Sequence, residues 1–240
     1  MIVINADDWG RSRVDTDATM SCFREQRLAS TSAMVFMADS ARAASLALEH
    51  GLDVGLHLNF SEMYTSPRAD SLVSAHTLIV RFITGSKYAF LFYHPWLRKE
   101  FRSVYDSQVS EFIRLYGKPP SHIDGHQHMH LCGNMVFDKI IPAGMKVRRH
   151  FTFWPGEKGL LNRSYRRWID GMLAQRYRMT NFFFSLEQIL QNGSFERISA
   201  LAISADVEVM THARMPAEYS YLASPQCLEF LRGTKKISSP

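Results

Sequence analysis

Ile2-Val-Ile-Asn-Ala-Asp-Asp-Trp-Gly10 joins a short apolar run to two adjacent carboxylates. Residues Ile2–Asn5 have the length and composition of a strand buried on both faces. Helical spacing follows over Val14–Gln26, with Asp15 or Asp17 at its start. The rhythm then repeats. Ser32–Met37 reads as a second strand, Ser40–His50 as an alanine-rich helix stopped by Gly51, and Asp53–Asn59 as a third strand. Trp96–Tyr116 is helical, and Gly117-Lys-Pro-Pro ends it. His122–Gly125 reads as a strand, Asn134–Ile141 as a short helix, Lys146–Arg148 as a short strand and Leu160–Tyr177 as a helix. Thr180–Ser185, Ser194–Ile203 and Asp206–Thr211 then read as strand, helix and strand. Seven strands alternating with helices predict an α/β fold, a mainly parallel sheet with outer helices. An irregular or incomplete (β/α) TIM-like barrel, in a single domain over residues 1–240, is the expected form. Residues 61–95 read as irregular and are too long for a simple connection. They are a candidate lid over a site, or a surface excursion.

Composition narrows the class. The chain has 240 residues, 46% of them hydrophobic, with 28 basic and 23 acidic side chains and a net charge of +5. That excludes a disordered chain and a short disulfide-stapled scaffold. The basic residues within Arg163–Arg178 alternate with Tyr165, Trp168, Ile169, Met172 and Leu173, the pattern of a wetted helix face, so no nucleic-acid partner is expected. Cys22, Cys132 and Cys227 are odd in number and widely spaced, which suits a reducing, cytoplasmic setting. The first apolar run is too short for a secretory leader. The most apolar region, Leu78–Phe92, is broken by Arg81 and Lys87, so no membrane span is expected.

Ionisable residues gather at the carboxyl ends of the predicted strands, where barrel enzymes keep their chemistry. Asp7 and Asp8 repel each other, and a cation or a proton must relieve that. In Gly55-Leu-His-Leu-Asn59, period-two alternation puts His57 and Asn59 on one face and the leucines on the other. In His122-Ile-Asp-Gly-His-Gln-His-Met-His130, four of the ten histidines fall within nine residues. If this stretch is extended, His122, Asp124, His126, His128 and His130 share a face; if it turns helical, His126 and His130 meet. So many imidazoles on one side invite a metal. Asp124 is placed to orient a histidine through its second ring nitrogen. Spacing does not choose between His126 and His128 as ligand. Two imidazoles and one carboxylate leave coordination positions open, as in a catalytic site, and suit zinc or a harder divalent ion. A second carboxylate would then take a proton from water, and His212 at the end of another strand is the natural acid.

Asn5-Ala-Asp-Asp-Trp-Gly10, Ser30-Thr-Ser-Ala-Met-Val35, the Gly55–Asn59 and His122–His130 stretches and Val207-Glu-Val-Met-Thr-His212 together resemble the YdjC-type carbohydrate deacetylase family, in order from residue 1 to about 215. The resemblance implies an irregular (β/α) barrel. It implies removal of an acetyl group from an N-acetylated sugar (an oligosaccharide or glycolipid) by metal-bound water attacking the acetamide carbonyl. It implies one divalent ion, zinc or magnesium, held by Asp8, His57 and His126, with Asp7 as general base and His212 as acid. Arg148 would contact the substrate or the carboxylates, and Asn59, Asp124 and His128 would line the substrate or support the ligands. A homodimer is compatible with the family. The chain departs from the family pattern at Trp9, where Phe is usual, at Gln127, where His is common, and at Ala213-Arg214, where Pro-Gly is usual. Two rival functions are hydrolysis of another ester or phosphodiester bond with the same ion, and a metal-containing module that binds a glycan without cleaving it.

Overall fold

The computed structural model describes residues 1–232; residues 233–240 of the expected domain lie outside the described residues. In chain order the elements are β1 (Ile2–Trp9), α1 (Arg13–Arg24), β2 (Ser30–Ala33), α2 (Ser40–His50), β3 (Val54–Leu58), α3 (Asp70–Thr84), α4 (Arg98–Tyr116), β4 (Ile123–Gly125) and α5 (Gly133–Phe137). They continue as α6 (Leu160–Ala174), β5 (Phe182–Ser185), α7 (Leu186–Asn192), α8 (Phe195–Ala202), β6 (Val207–Thr211), α9 (Pro216–Leu222) and α10 (Pro225–Arg232). The six strands are parallel and ordered β4-β3-β2-β1-β6-β5, a curled half-barrel with helices around it.

The strands carry two kinds of side chain, sorted by the period-two alternation. One face is apolar: Ile4, Ala6, Ala33, Leu56, Leu58, Ile123, Val207 and Val209 are buried in two hydrophobic clusters beneath the helices. The other is polar although equally buried: Asn5, Asp7, Ser30, Ser32, His57, Asp124 and Glu208 are each less than a tenth exposed. Ser30 and Ser32 explain why β2, Ser-Thr-Ser-Ala, is short and polar yet fully interior. Buried polar groups must find partners, and here they find one another.

Local signals set several boundaries. Ser12, not an aspartate, caps α1, accepting the Asp15 N–H at 3.3 Å. Gly51 stops α2 in the left-handed conformation, φ 67°. Gly55 on β3 lies so close to the His122 ring that a Cβ there would come within 2.4 Å of it.

Two further sequence expectations are corrected, and one open alternative is decided. Lys146–Arg148 is not a strand: Val147 bridges Ile123 and Lys146 bridges Arg178 singly, so the sheet has six strands rather than seven. Residues 61–95 are not irregular, because Asp70–Thr84 is helix α3, which packs on α4. Its apolar positions (Ile79 and Ile83 among them) lie between stretches rich in Pro, Gly and Ser, which read as loop. Of the two forms left open for His122–His130, the single extended face does not occur. β4 stops at Gly125, and Gln127 and His128 adopt left-handed backbone (φ 52° and 60°) within a 3₁₀ turn.

Candidate active site

Both carboxylates of the first motif reach the same place because β1 is irregular at its end. The pairing register with β2 shifts between Ala6 and Trp9, and Asp8 has φ 65°. A non-glycine residue held there costs on the order of 1 kcal/mol and persists only where its surroundings demand it. Without that twist the two side chains would point to opposite faces.

Single ligand atoms of Asp8, His57 and His126 all lie within 4.8 Å of one another. Asp8 Oδ1 is 3.0 Å from His126 Nδ1 and 3.4 Å from His57 Nε2. The other nitrogen of His57, Nδ1, meets Asp124 Oδ1 at 2.9 Å. That contact follows from register, since His57 and Asp124 are partners across β3 and β4. Asp7, His57 and Asp124 form a second such group.

Arg148 ties the carboxylates together. Its Nη1 and Nη2 donate to the two oxygens of Asp7 at 2.6 and 2.7 Å. Nη2 also lies 2.7 Å from Asp124 Oδ2, and Nε donates to Glu208 at 2.6 Å. The guanidinium stacks over Phe183, 4.9 Å from the ring centroid. Ser32 donates to Asp124 at 2.7 Å and accepts from Asn5 Nδ2 at 2.6 Å, and Asn5 Nδ2 also donates to Asp7 at 2.9 Å. Ser30 completes the chain by donating to Asn5 Oδ1 at 2.7 Å.

The centre holds more negative than fixed positive charge. Burial alone would lower the His57 pKa, but Asp124 and Asp7 raise it to about 10. Burial would raise Asp8, yet hydrogen bonds from His126 and His57 hold it well below the usual carboxylate range. Burial would also lower Arg148, and Asp124, Asp7 and Glu208 raise it well above its ordinary value. Such a site attracts positive charge, and its nitrogen and oxygen donors are those a divalent ion takes.

The remaining predicted residues have distinct positions. His128 packs edge-on against Phe151 and Phe183, and burial pushes its pKa well down. His130 Nε2 lies 3.0 Å from the Arg148 carbonyl, and His122 fills the space under Gly55. Asn59 is fully buried, and its side chain builds a turn with Ser61 and Glu62. His212 follows Thr211, the register partner of Ala6, just past the end of β6; its own N–H donates to Glu218 at 3.0 Å. Its ring is in neither ligand group. Arg214 is paired with Asp15 at 3.0 Å.

A family model described as YdjC-like protein matches residues 1–233. The chain belongs to the YdjC-like family. Relatives of this YdjC-like protein include the chitooligosaccharide deacetylase of Serratia marcescens, 28% identical over 55% of this chain and 51% of that one. The carbohydrate deacetylase of Xenopus laevis is 28% identical over 74% of this chain and 57% of that one. The matched stretch thus spans little more than half the length of these two relatives. Among solved structures, a candidate cellobiose-phosphate cleavage protein of Enterococcus faecalis shares the fold, with a TM-score of 0.66 and 16% identity over 96% of this chain and 93% of that one.

Sequence reasoning missed Ser32, Glu62 and Arg11. Ser32 was legible as an interior polar residue of a strand. Glu62 and Arg11 were not, since a lone Glu and a lone Arg in loops carry no pattern.

Proposed function

We propose that this YdjC-like protein is a hydrolase that removes the acetyl group of an N-acetylated sugar, with one divalent ion, zinc or magnesium, held by Asp8, His57 and His126. The observation that carries this reading is the convergence of those three side chains from β1, β3 and the turn after β4 at the carboxyl ends of the strands. The deacetylase names of several relatives supply the substrate class.

When bound, such an ion polarises the acetamide carbonyl and lowers the pKa of a water. The chain's own residues do the rest. Asp124 holds the His57 ring by its Nδ1, leaving Nε2 turned toward Asp8. Arg148 fixes Asp7 through both oxygens, and a carboxylate oxygen so engaged retains a further lone pair. Asp7 accepts the proton of the attacking water. His212, just past the end of the neighbouring strand β6, donates a proton to the departing nitrogen as the C–N bond breaks. Acetate and a free amine leave. Residues 61–95, which place Glu62 beside His126, close one side of the sugar site and act as part of the same domain. Cys22, Cys132 and Cys227 are free and buried, in keeping with a reducing cytoplasm. Among the described residues no helix is long and apolar enough to cross a membrane.

The test is metal analysis of the purified protein joined to an acetate-release screen over N-acetylated monosaccharides, oligosaccharides and glycolipids. One equivalent of metal with equal amounts of acetate and amine is expected. Turnover of esters or phosphodiesters alone would replace the reading with another hydrolase, and glycan binding without turnover would replace it with a binding module.

A further inference from the structure

The turn after β3 is held by several hydrogen bonds around the buried Asn59. Asn59 Oδ1 accepts from the N–H groups of Ser61 and Glu62 at 3.2 and 2.9 Å, and Asn59 Nδ2 donates to the Glu62 carbonyl at 2.7 Å. The Asn59 backbone is itself gripped from two helices. Gln108 of α4 accepts its N–H at 2.8 Å and donates to its carbonyl at 3.1 Å, and His76 Nε2 of α3 lies 3.0 Å from the same carbonyl. This scaffold aims one side chain, Glu62. Arg11 Nε reaches both Glu62 oxygens, at 3.1 and 2.9 Å, and Arg11 also lies 3.5 Å from Asp8.

Glu62 Oε2 stands 3.2 Å from His126 Nε2, while His126 Nδ1 faces Asp8 at 3.0 Å. His57 is arranged the other way round: its Nδ1 meets a carboxylate, Asp124, at 2.9 Å and its Nε2 faces Asp8 at 3.4 Å. The two histidines therefore turn opposite nitrogens toward Asp8, and each has a carboxylate behind it. A metal-bound histidine donates its remaining N–H to such a partner, which sets both tautomer and ring orientation.

We infer that Glu62, presented by Asn59 and clamped by Arg11, is the positioning residue for His126, so that His126 grips the ion through Nδ1 while His57, backed by Asp124, grips it through Nε2. The inference rests on the proposed metal site and goes further in assigning the ligand atoms and the second supporting carboxylate.

Zinc titration of the full chain by calorimetry, with long-range ¹H–¹⁵N spectra of the histidine rings, tests it. The native protein should bind one equivalent, with zinc on His126 Nδ1 and the proton on Nε2. Glu62→Ala should bind zinc about 10–100-fold more weakly. Glu62→Gln, whose amide oxygen still accepts the N–H, should recover part of that loss. It is near-isosteric, so it carries the comparison should the alanine variant fail to fold. Coordination of His126 through Nε2 in the native protein, or unchanged affinity in both variants, overturns the inference while leaving the metal site standing. A native protein that binds no zinc overturns the metal reading itself, and the role of Glu62 falls with it.

Discussion

His57 and Asp124 are register partners on adjacent parallel strands, and their side chains meet at 2.9 Å between Nδ1 and Oδ1. Strand pairing thus delivers the proposed ligand and its support together. Asp124 cannot move without disturbing β4, and His57 cannot rotate without breaking a buried hydrogen bond.

Replacing Asp124 with Asn should leave His57 free to adopt either tautomer. Metal affinity is expected to fall about 10–100-fold, measured by competition against a chelator of known strength. An affinity equal to the native value would remove Asp124 from its supporting role.

Arg148 is buried among Asp7, Asp124 and Glu208. Arg148→Met leaves three carboxylates without their shared cation, and a loss on the order of 3–5 kcal/mol is expected in urea unfolding of the metal-free protein. Arg148→Lys should restore only a fraction, because an ammonium cannot serve the three partners with the guanidinium fork. A lysine variant as stable as the native protein would show that charge alone matters.

Asp7→Asn keeps the shape of the side chain and removes its capacity to take a proton. Turnover should fall by about 10²–10⁴ while metal content stays at the native level. Full activity in this variant would place the base elsewhere.

His76 ties α3 to Asn59, and burial lowers its pKa from 6.5 to about 4. Between those values the unfolded chain binds a proton that the folded protein refuses. The neutral ring's contribution is therefore complete above pH 6.5 and is lost as the pH falls toward 4. At pH 4.5 that loss is on the order of 2 kcal/mol. His76→Gln retains a donor for the Asn59 carbonyl without titrating, so its stability should vary less between pH 6.5 and 4.5. Parallel curves for the two proteins would refute the assignment.

Gly55→Ala would push a methyl into the His122 ring. A cost of about 1–3 kcal/mol is expected, and most of it should vanish in a His122→Ala background. Additive costs in the double variant would mean that the crowding lies elsewhere.

The alternation of strands and helices, the parallel sheet and the polar strand ends were all legible in the chain, because burial on a pleated strand enforces a period that residue types record. Motif resemblance singled out Asp8, His57 and His126, and the fold brings them together. Local pattern failed at α3, whose apolar stripe is masked by its flanks, and at His126–His130, where a 3₁₀ turn sends chemically identical side chains to different places. It failed also at Glu62 and Arg11, which gain meaning only from what lies opposite them. Sequence determined which residues lie inside, since hydrophobicity and strand period are properties of neighbours along the chain. Tertiary structure alone decided which nitrogen of each histidine faces Asp8 and which carboxylate stands behind it. Those choices are made by polar contacts between segments separated by tens of residues, where no local rule reaches.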